Sequence, residues 1–534
     1  MSGSRIETDY LSGTRRVVKV GSHTESIRPE HPRARHVSEL ARLIGSDVPG
    51  LRDVECTGVA SASDDVRPGD IFFALPGATA HGANFSQSAE SHGAVAIITD
   101  EAGSSILEAV ATLPILVVEN PRELVGPVSA WVYQTEHPAL ELFGVTGTNG
   151  KTTVVYLLAA LLRHIGVRSG LSSTSERIVD EERFPSGLTT PEANHVHSFL
   201  ARLVECDVRA AVLEVSAHAL TRHRVDAVTF DVVGFTNFSQ DHLDDFQSME
   251  NYFAAKLTLF DPERAQRAVV ALDSPWTQRL AAESRIPVVT VGLSSSPIGR
   301  EALWQVAVTD QSMTDTSFTL LGPRGEALET RVPMVGDFSA LNTALAIVML
   351  VEAGYSVDLI RYSLEQAGGV HVYIPGRTEV VSGTRGPTFI VDYGHTPEAF
   401  IATLRALRAV TPGNVIMVFG ADGDRDASKR EDMGAAAANG AEIVIITDFH
   451  PRSEDPAAIR SQLLVGAKSA RTNSDIREVP DPRDAVRLAI SLAHEGDTIL
   501  YAGPGHEDYR DLGTHRIAYS ARDDSRAALA EAGW

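Results

Sequence analysis

The sequence predicts an α/β protein built from three domains. Three observations carry that expectation. The chain has 534 residues, against roughly 150 for a typical domain. Short β-rich runs alternate with helix-like stretches, the pattern of βαβ units and mostly parallel sheets. A Gly-rich turn also joins an apolar strand to a helix near residue 147, as in P-loop ATPases. The expected layout is a mobile tail over 1–36, an N-terminal α/β domain over 37–138, a central P-loop ATPase-like domain with a parallel sheet over 139–373, and a Rossmann-like α/β domain over 374–534.

The tail expectation rests on residues 1–36, which carry seven basic and four acidic residues with scattered Gly, Ser and Pro and no apolar period. It lacks the apolar stretch of a secretory signal. In the first domain, strands are expected at Ile71–Leu75, Ala94–Ile98 and Ile115–Val118, with a helix over Ser86–His92. The second opens with strand Leu140–Val145 and helix Thr152–His164, followed by strands Ala210–Val215 and Val228–Thr236. A linker is expected around Gly368–Gly376. Beyond it, strands are expected at Thr388–Asp392, Asn414–Phe419, Ile443–Thr447 and Asp497–Ala502.

Composition narrows the function. With 47 basic and 70 acidic residues the net charge is −23, which argues against a nucleic-acid partner, because a phosphate backbone calls for excess Lys and Arg. No apolar run approaches the roughly 18 residues of a membrane span, so no membrane partner is expected. Two cysteines, Cys56 and Cys206, make no disulfide framework; a cytoplasmic home is expected. Only five of the basic residues are lysines, at 19, 151, 256, 429 and 468. A Lys kept in so Arg-rich a chain is informative.

The strongest chemical signal is Gly147, Thr148, Asn149, Gly150, Lys151, Thr152 and Thr153 between strand and helix. Such a turn aims backbone N–H groups and a helix N-terminus at an anion. Lys151 reaches outer phosphates and the Thr152 hydroxyl suits Mg²⁺. The turn is shorter than the common phosphate-loop pattern, since Val145 stands at the first Gly position. Glu214 and His242 each fall at or just beyond a strand's carboxyl end, where open α/β sheets bind ligands, and carboxylate oxygen suits Mg²⁺.

The order GTNGKTT (147–153), LTTPEA (188–193), LEVSAHAL (213–220), TNFSQDHLD (236–244), YFAAKLTLF (252–260), PGRTEVV (375–381), VDYGHTPEA (391–399), FGADGDRDASKR (419–430) and AGPGHEDY (502–509) resembles the Mur ligase family, in particular its branch that adds the third residue of the muramoyl peptide. The resemblance implies an ATP- and Mg²⁺-dependent amide ligase of peptidoglycan synthesis. Its substrates would be UDP-N-acetylmuramoyl-dipeptide and a diamino acid, joined through an acyl phosphate, and a monomer is expected.

Position by position, the resemblance implies that residues 147–153, Asn342, Arg377 and Asp392 hold ATP. Thr152, Glu214, His242 and a carbamylated Lys256 would hold metal, and Lys151, Glu214, His242 and Lys256 form the catalytic set. Ser63, Ala78, Thr79, Ala80, Thr189, Thr190, Ser216, Arg222 and Arg224 would contact the UDP-muramoyl substrate, making the first domain a uridine-nucleotide domain. Arg425, Phe449, His450, Arg452, Gly503 and Glu507 would recognise the amino acid. The sequence departs from the family at Ala62, Asp64, Ala217, Arg222, Ser339 and Pro504, and Phe449-His450 precedes Pro451-Arg452 where many relatives have Asp-Asn. Arg452 favours meso-diaminopimelate, whose distal carboxylate it would grip; lysine or a shorter diamino acid stand behind it. Two other readings stay open: another ligase of the superfamily, such as a folyl-polyglutamate synthetase, and a catalytically silent nucleotide-binding relative.

Overall fold

The structure is a computed structural model that describes residues 26–46, 54–470 and 473–534. Most of the expected tail, 1–25, lies outside the described residues. Residues 26–36 correct that expectation. Ser26 and Ile27 are buried, and Arg28 Nη1 donates to both carboxylate oxygens of Asp70 at 2.7 Å. The Glu30 and His31 amides donate to Glu205 at 2.8 and 2.7 Å, and Arg35–His36 pairs antiparallel with Glu55–Cys56. One apolar residue and one well-placed guanidinium anchor a stretch whose composition reads as tail.

Three main sheets follow. The first is parallel and ordered Gly58–Ala60, Asp70–Phe73, Ala96–Thr99, Ile115–Val117. The third is ordered Glu379–Val380, Thr388–Asp392, Thr498–Ala502, Val415–Phe419, Ile443–Ile446, Asp475–Glu478, and only its first pairing is antiparallel.

The central sheet has 11 strands. Its parallel middle runs Ser169–Ser172, Ala210–Glu214, Glu141–Thr146, Phe230–Phe235, Ala265–Ala271, Val288–Leu293, Trp304–Gln311. Strands covered on both faces need near-continuous apolar sequence. Accordingly Phe143, Val145, Val212 and Val232 enter one core while Leu142, Leu213, Val233 and Phe235 enter the opposite one. Helices Lys151–His164 and Asp337–Glu352 fill the first core and are buried almost all round. Antiparallel pairs extend both edges: Glu176–Val179 with Glu182–Pro185, and Thr316–Leu321 with Ala327–Val332. Neither pair is in the sequence expectation, and the second shows why. Its buried residues alternate with exposed ones, a weaker signal than the solid apolar runs of the centre.

Candidate active site

The carboxyl ends of the central and third sheets face one cavity of about 900 Å³. Its floor is the turn after strand Glu141–Thr146. Gly147 has φ +142°, and a Cβ there would lie 1.9 Å from Thr236 Oγ1, so the close approach of the neighbouring strand end requires glycine. That approach locks the turn. The Thr148 amide donates to the Asn237 carbonyl at 3.0 Å, the Asn149 amide to Asn237 Oδ1 at 2.9 Å, and Thr236 Oγ1 to the Asn149 carbonyl at 2.6 Å. Gly150, in the left-handed region, starts helix Lys151–His164. Lys151 Nζ, pushed down by burial, donates to the Gly147 and Thr148 carbonyls at 3.2 and 2.8 Å.

Lys256 lies behind the turn. It is 1% exposed, its Nζ donates to the Gly147 carbonyl at 2.8 Å, and it sits 4.6 Å above the Tyr252 ring. Burial, then the charge of Lys151, pushes its amine well below the ordinary lysine value. Glu214 accepts from the Thr174 amide and hydroxyl, both at 3.0 Å. His242, in the left-handed region at φ +57°, is pushed down by burial to about 3, which leaves a neutral imidazole with a free lone pair.

Among the described residues no three His, Cys, Asp or Glu side chains converge on a metal position. The donors present still fit Mg²⁺ bound with a nucleotide, since that ion keeps waters and takes one or two carboxylates plus phosphate oxygens. Glu214, His242 and the Thr152 hydroxyl line the same wall.

The third domain closes the other side. Arg377 Nη2 donates to Thr152 Oγ1 at 2.9 Å, Asn149 Nδ2 to Thr396 Oγ1 at 3.2 Å, and Lys429 Nζ to Asp241 Oδ1 at 2.9 Å in a buried ion pair. Asp392 accepts from the Thr378 and Gly394 amides, both at 2.7 Å. Asn342 packs over Gly150.

At the far end stand Arg425, Phe449, His450, Arg452 and Glu507. His450 is 2% exposed. Its Nδ1 accepts from the Asp511 amide at 2.8 Å, so Nε2 carries the proton and donates to Glu507 at 2.8 Å. Arg452 Nη1 donates to the Gly423 carbonyl at 3.0 Å; it pairs with neither Glu454, which Arg430 holds at 2.8 Å, nor Asp455. Gly503 Cα faces Phe449.

The expected ATP, metal and amino-acid residues thus meet around one cavity, with Gly147, Lys256 and Gly503 backing it. The expected UDP-muramoyl residues are more spread. Thr189 lines the cavity. Thr190 Oγ1 donates to the Glu214 carbonyl at 2.8 Å, and the Ser216 amide and Arg224 Nη1 bond to Thr190 at 3.1 and 3.2 Å. Ser63 is on a loop of the first sheet with its carbonyl 3.0 Å from His92 Nδ1, Ala78, Thr79 and Ala80 are exposed, and Arg222 ends helix Ala217–Thr221. Sequence reasoning missed Thr174, Asp241 and Lys429. For Lys429 the signal was available, in the scarcity of lysine.

Comparison with known proteins adds the following. The chain matches the Mur ligase family catalytic domain over residues 55–131, the Mur ligase middle domain over 145–350 and the Mur ligase glutamate ligase domain over 376–505. It is 57% identical, over 96% of its length and 99% of the relative's, to a UDP-N-acetylmuramyl-tripeptide synthetase of Leifsonia xyli subsp. xyli. It is 41% identical, over 91% and 94% of the two chains, to a UDP-N-acetylmuramoyl-L-alanyl-D-glutamate–2,6-diaminopimelate ligase of Streptomyces coelicolor. A solved structure of a 2,6-diaminopimelate ligase of that type superposes with a TM-score of 0.61 at 26% identity, covering 92% of this chain and 99% of the other. A folylpolyglutamate synthase of Mycobacterium tuberculosis complexed with ADP shares the fold at 19% identity, with a TM-score of 0.59 over 72% of this chain and 92% of its own.

Proposed function

The chain belongs to the Mur ligase family, and from that premise we propose that it joins a diamino acid to the D-glutamyl carboxylate of UDP-N-acetylmuramoyl-L-alanyl-D-glutamate in peptidoglycan synthesis, consuming ATP. The observation that carries this reading is the meeting of the phosphate-binding turn, Glu214 and His242 with Arg377, Arg425 and Glu507 of the third domain around one cavity.

The chemistry follows from what a carboxylate lacks. It is a poor electrophile, so its oxygen first attacks the γ-phosphorus of ATP, and ADP leaves. The α-amine of the diamino acid then attacks the acyl carbon, loses a proton and expels phosphate. Phosphoryl transfer depends on positioning and on neutralising charge. The turn's amides and Lys151 would hold the phosphates, Arg377 would add charge from the opposite wall, and Asn342 and Asp392 would hold the nucleoside. Mg²⁺, held by Thr152, Glu214 and His242 with Lys256 as a carbamate, would supply further positive charge. Thr190, Ser216 and Arg224, with Ser63, residues 78–80, Thr189 and Arg222, would hold the UDP-muramoyl dipeptide.

No helix among the described residues is long and apolar enough to cross a membrane, and the reading is of a cytoplasmic monomer; a light-scattering mass near 57.3 kDa is expected. The central test is phosphate release. It should require the dipeptide substrate and a diamino acid together, with a product heavier by one diamino-acyl residue. Release indifferent to the amine would sink the reading.

A further inference from the structure

Asp422 belongs to the loop that leaves strand Val415–Phe419, and it lines the amino-acid end of the cavity beside His450, Arg452 and Glu507. Its position is fixed. The Asp422 carbonyl accepts from Arg430 Nη2 at 2.8 Å, and Arg430 is itself 1% exposed. The next residue's carbonyl holds Arg452.

The carboxylate is only partly engaged. Oδ2 lies 3.7 Å from Arg452 Nη2, beyond hydrogen-bond distance. Oδ1 is buried and has no hydrogen-bond partner among the described residues. A buried acceptor left without a donor costs free energy, so this carboxylate keeps hydrogen-bonding capacity that nothing around it uses.

The neighbours say which donor. Among the described residues Glu507 receives one side-chain hydrogen bond, from His450, on Oε2. Asp422 and Glu507 both line this end of the cavity. The cations nearby are largely committed. Arg452 serves Gly423, and Arg516 lies 3.6 Å from Asp511 and over the Tyr509 ring. Arg425 is exposed and makes no hydrogen bond or ion pair among the described residues, which leaves it for the α-carboxylate that every amino acid carries.

We propose that Asp422, whose side chain is 27% exposed on the cavity wall, selects the incoming amino acid by accepting a hydrogen bond on its carboxylate from the amino acid's side-chain ammonium. The inference rests on the ligase reading above and goes beyond it, because it makes the second amine, which takes no part in bond formation, the recognised group. Lysine, ornithine and diaminopimelate carry that ammonium; norleucine and 2-aminopimelate, of the same shape, lack it.

The test is ligation to UDP-N-acetylmuramoyl-L-alanyl-D-glutamate of two pairs, lysine against norleucine and diaminopimelate against 2-aminopimelate, by wild type, Asp422→Asn and Asp422→Glu. A charge-assisted hydrogen bond predicts a fall of roughly 10- to 100-fold in kcat/KM for the preferred diamino acid in Asp422→Asn, carried by KM. The KM for ATP should hold, and discrimination against the partner lacking the ammonium should narrow. Asp422→Glu, which keeps the charge, should recover part of the loss. If Asp422→Asn keeps both the KM for the diamino acid and the discrimination of wild type, the proposal is overturned while the ligase reading stands. Ligation of no amine at all would overturn both.

Discussion

Arg377 Nη2 donates to Thr152 Oγ1 at 2.9 Å, although the two residues are 225 positions apart, Thr152 in the helix that follows the phosphate-binding turn and Arg377 just before the first strand of the third sheet. The guanidinium lies 4.1 Å from the Tyr393 ring, so its plane is held while one edge reaches the phosphate-binding turn. Arg377→Ala should lower kcat/KM for ATP on the order of 100-fold, the usual loss for one preorganised charge-stabilising donor. Arg377→Lys should recover little, because a flexible point charge cannot keep the stacked, forked geometry. Steady-state phosphate release checks both; wild-type rates in Arg377→Ala would remove Arg377 from the ATP site.

Closure of the third domain over the nucleotide should depend on the Lys429–Asp241 pair. Burial alone would raise the Asp241 carboxyl, but the Lys429 ammonium beside it holds it well below the usual carboxylate range. Removing one partner of a buried pair leaves the other charge unsatisfied, at about 3–5 kcal/mol. Lys429→Met should therefore open the cleft, seen as a larger radius of gyration in solution scattering, with ATP and the dipeptide substrate reversing part of it. Identical scattering curves for variant and wild type would count against the pair as a closure contact.

Lys256 should act as a carbamate. Forming one requires a neutral amine, and burial beside Lys151 favours that form. Lys256→Ala should nearly abolish ligation, with partial recovery when a short-chain carboxylic acid is supplied. Arginine stays charged and cannot be carbamylated, so full activity in Lys256→Arg would refute the modification.

Acid should destabilise the fold through His197. Its ring is fully buried, with Nδ1 2.8 Å from Thr135 Oγ1 and Nε2 3.0 Å from the Asp226 carbonyl, and burial pushes it down to about 4. An unfolded histidine titrates near 6.5. Between these values the unfolded chain binds more protons than the folded one, so stability is lost as pH falls from 6.5 to 4, by about 3 kcal/mol in full. Urea melts of wild type and His197→Gln across this window should show a shallower pH slope for the variant. Equal slopes would assign the acid sensitivity elsewhere.

Much of this architecture was legible in the chain. Strands such as Thr388–Asp392 have the boundaries expected of them, because a strand buried on both faces is a solid apolar run between turn residues. The turn at 147–153 was legible for the same local reason, since its conformation and its chemistry are written in consecutive residues. The anchoring of Ile27 and Arg28 was not, because it depends on Asp65 and Asp70, some 40 positions away. Nor was the acceptor role of Asp422, whose significance lies in what its carboxylate fails to meet. The 304–332 ribbon escaped because half-buried alternation resembles an exposed loop when its partner strand is unknown.

The lysines at 151, 256 and 429 all belong to the cleft, two of them on or behind the phosphate-binding turn and the third bridging to the opposite wall, while Lys468 is exposed on helix Pro456–Ser469. Amine-directed labelling therefore becomes a gauge of the cleft in the unmodified protein. Brief reductive methylation followed by peptide mass mapping would mark Lys468 as an internal reference. Each further methyl group at 151 or 429 would record how often that wall opens to solvent, with no probe introduced by mutation.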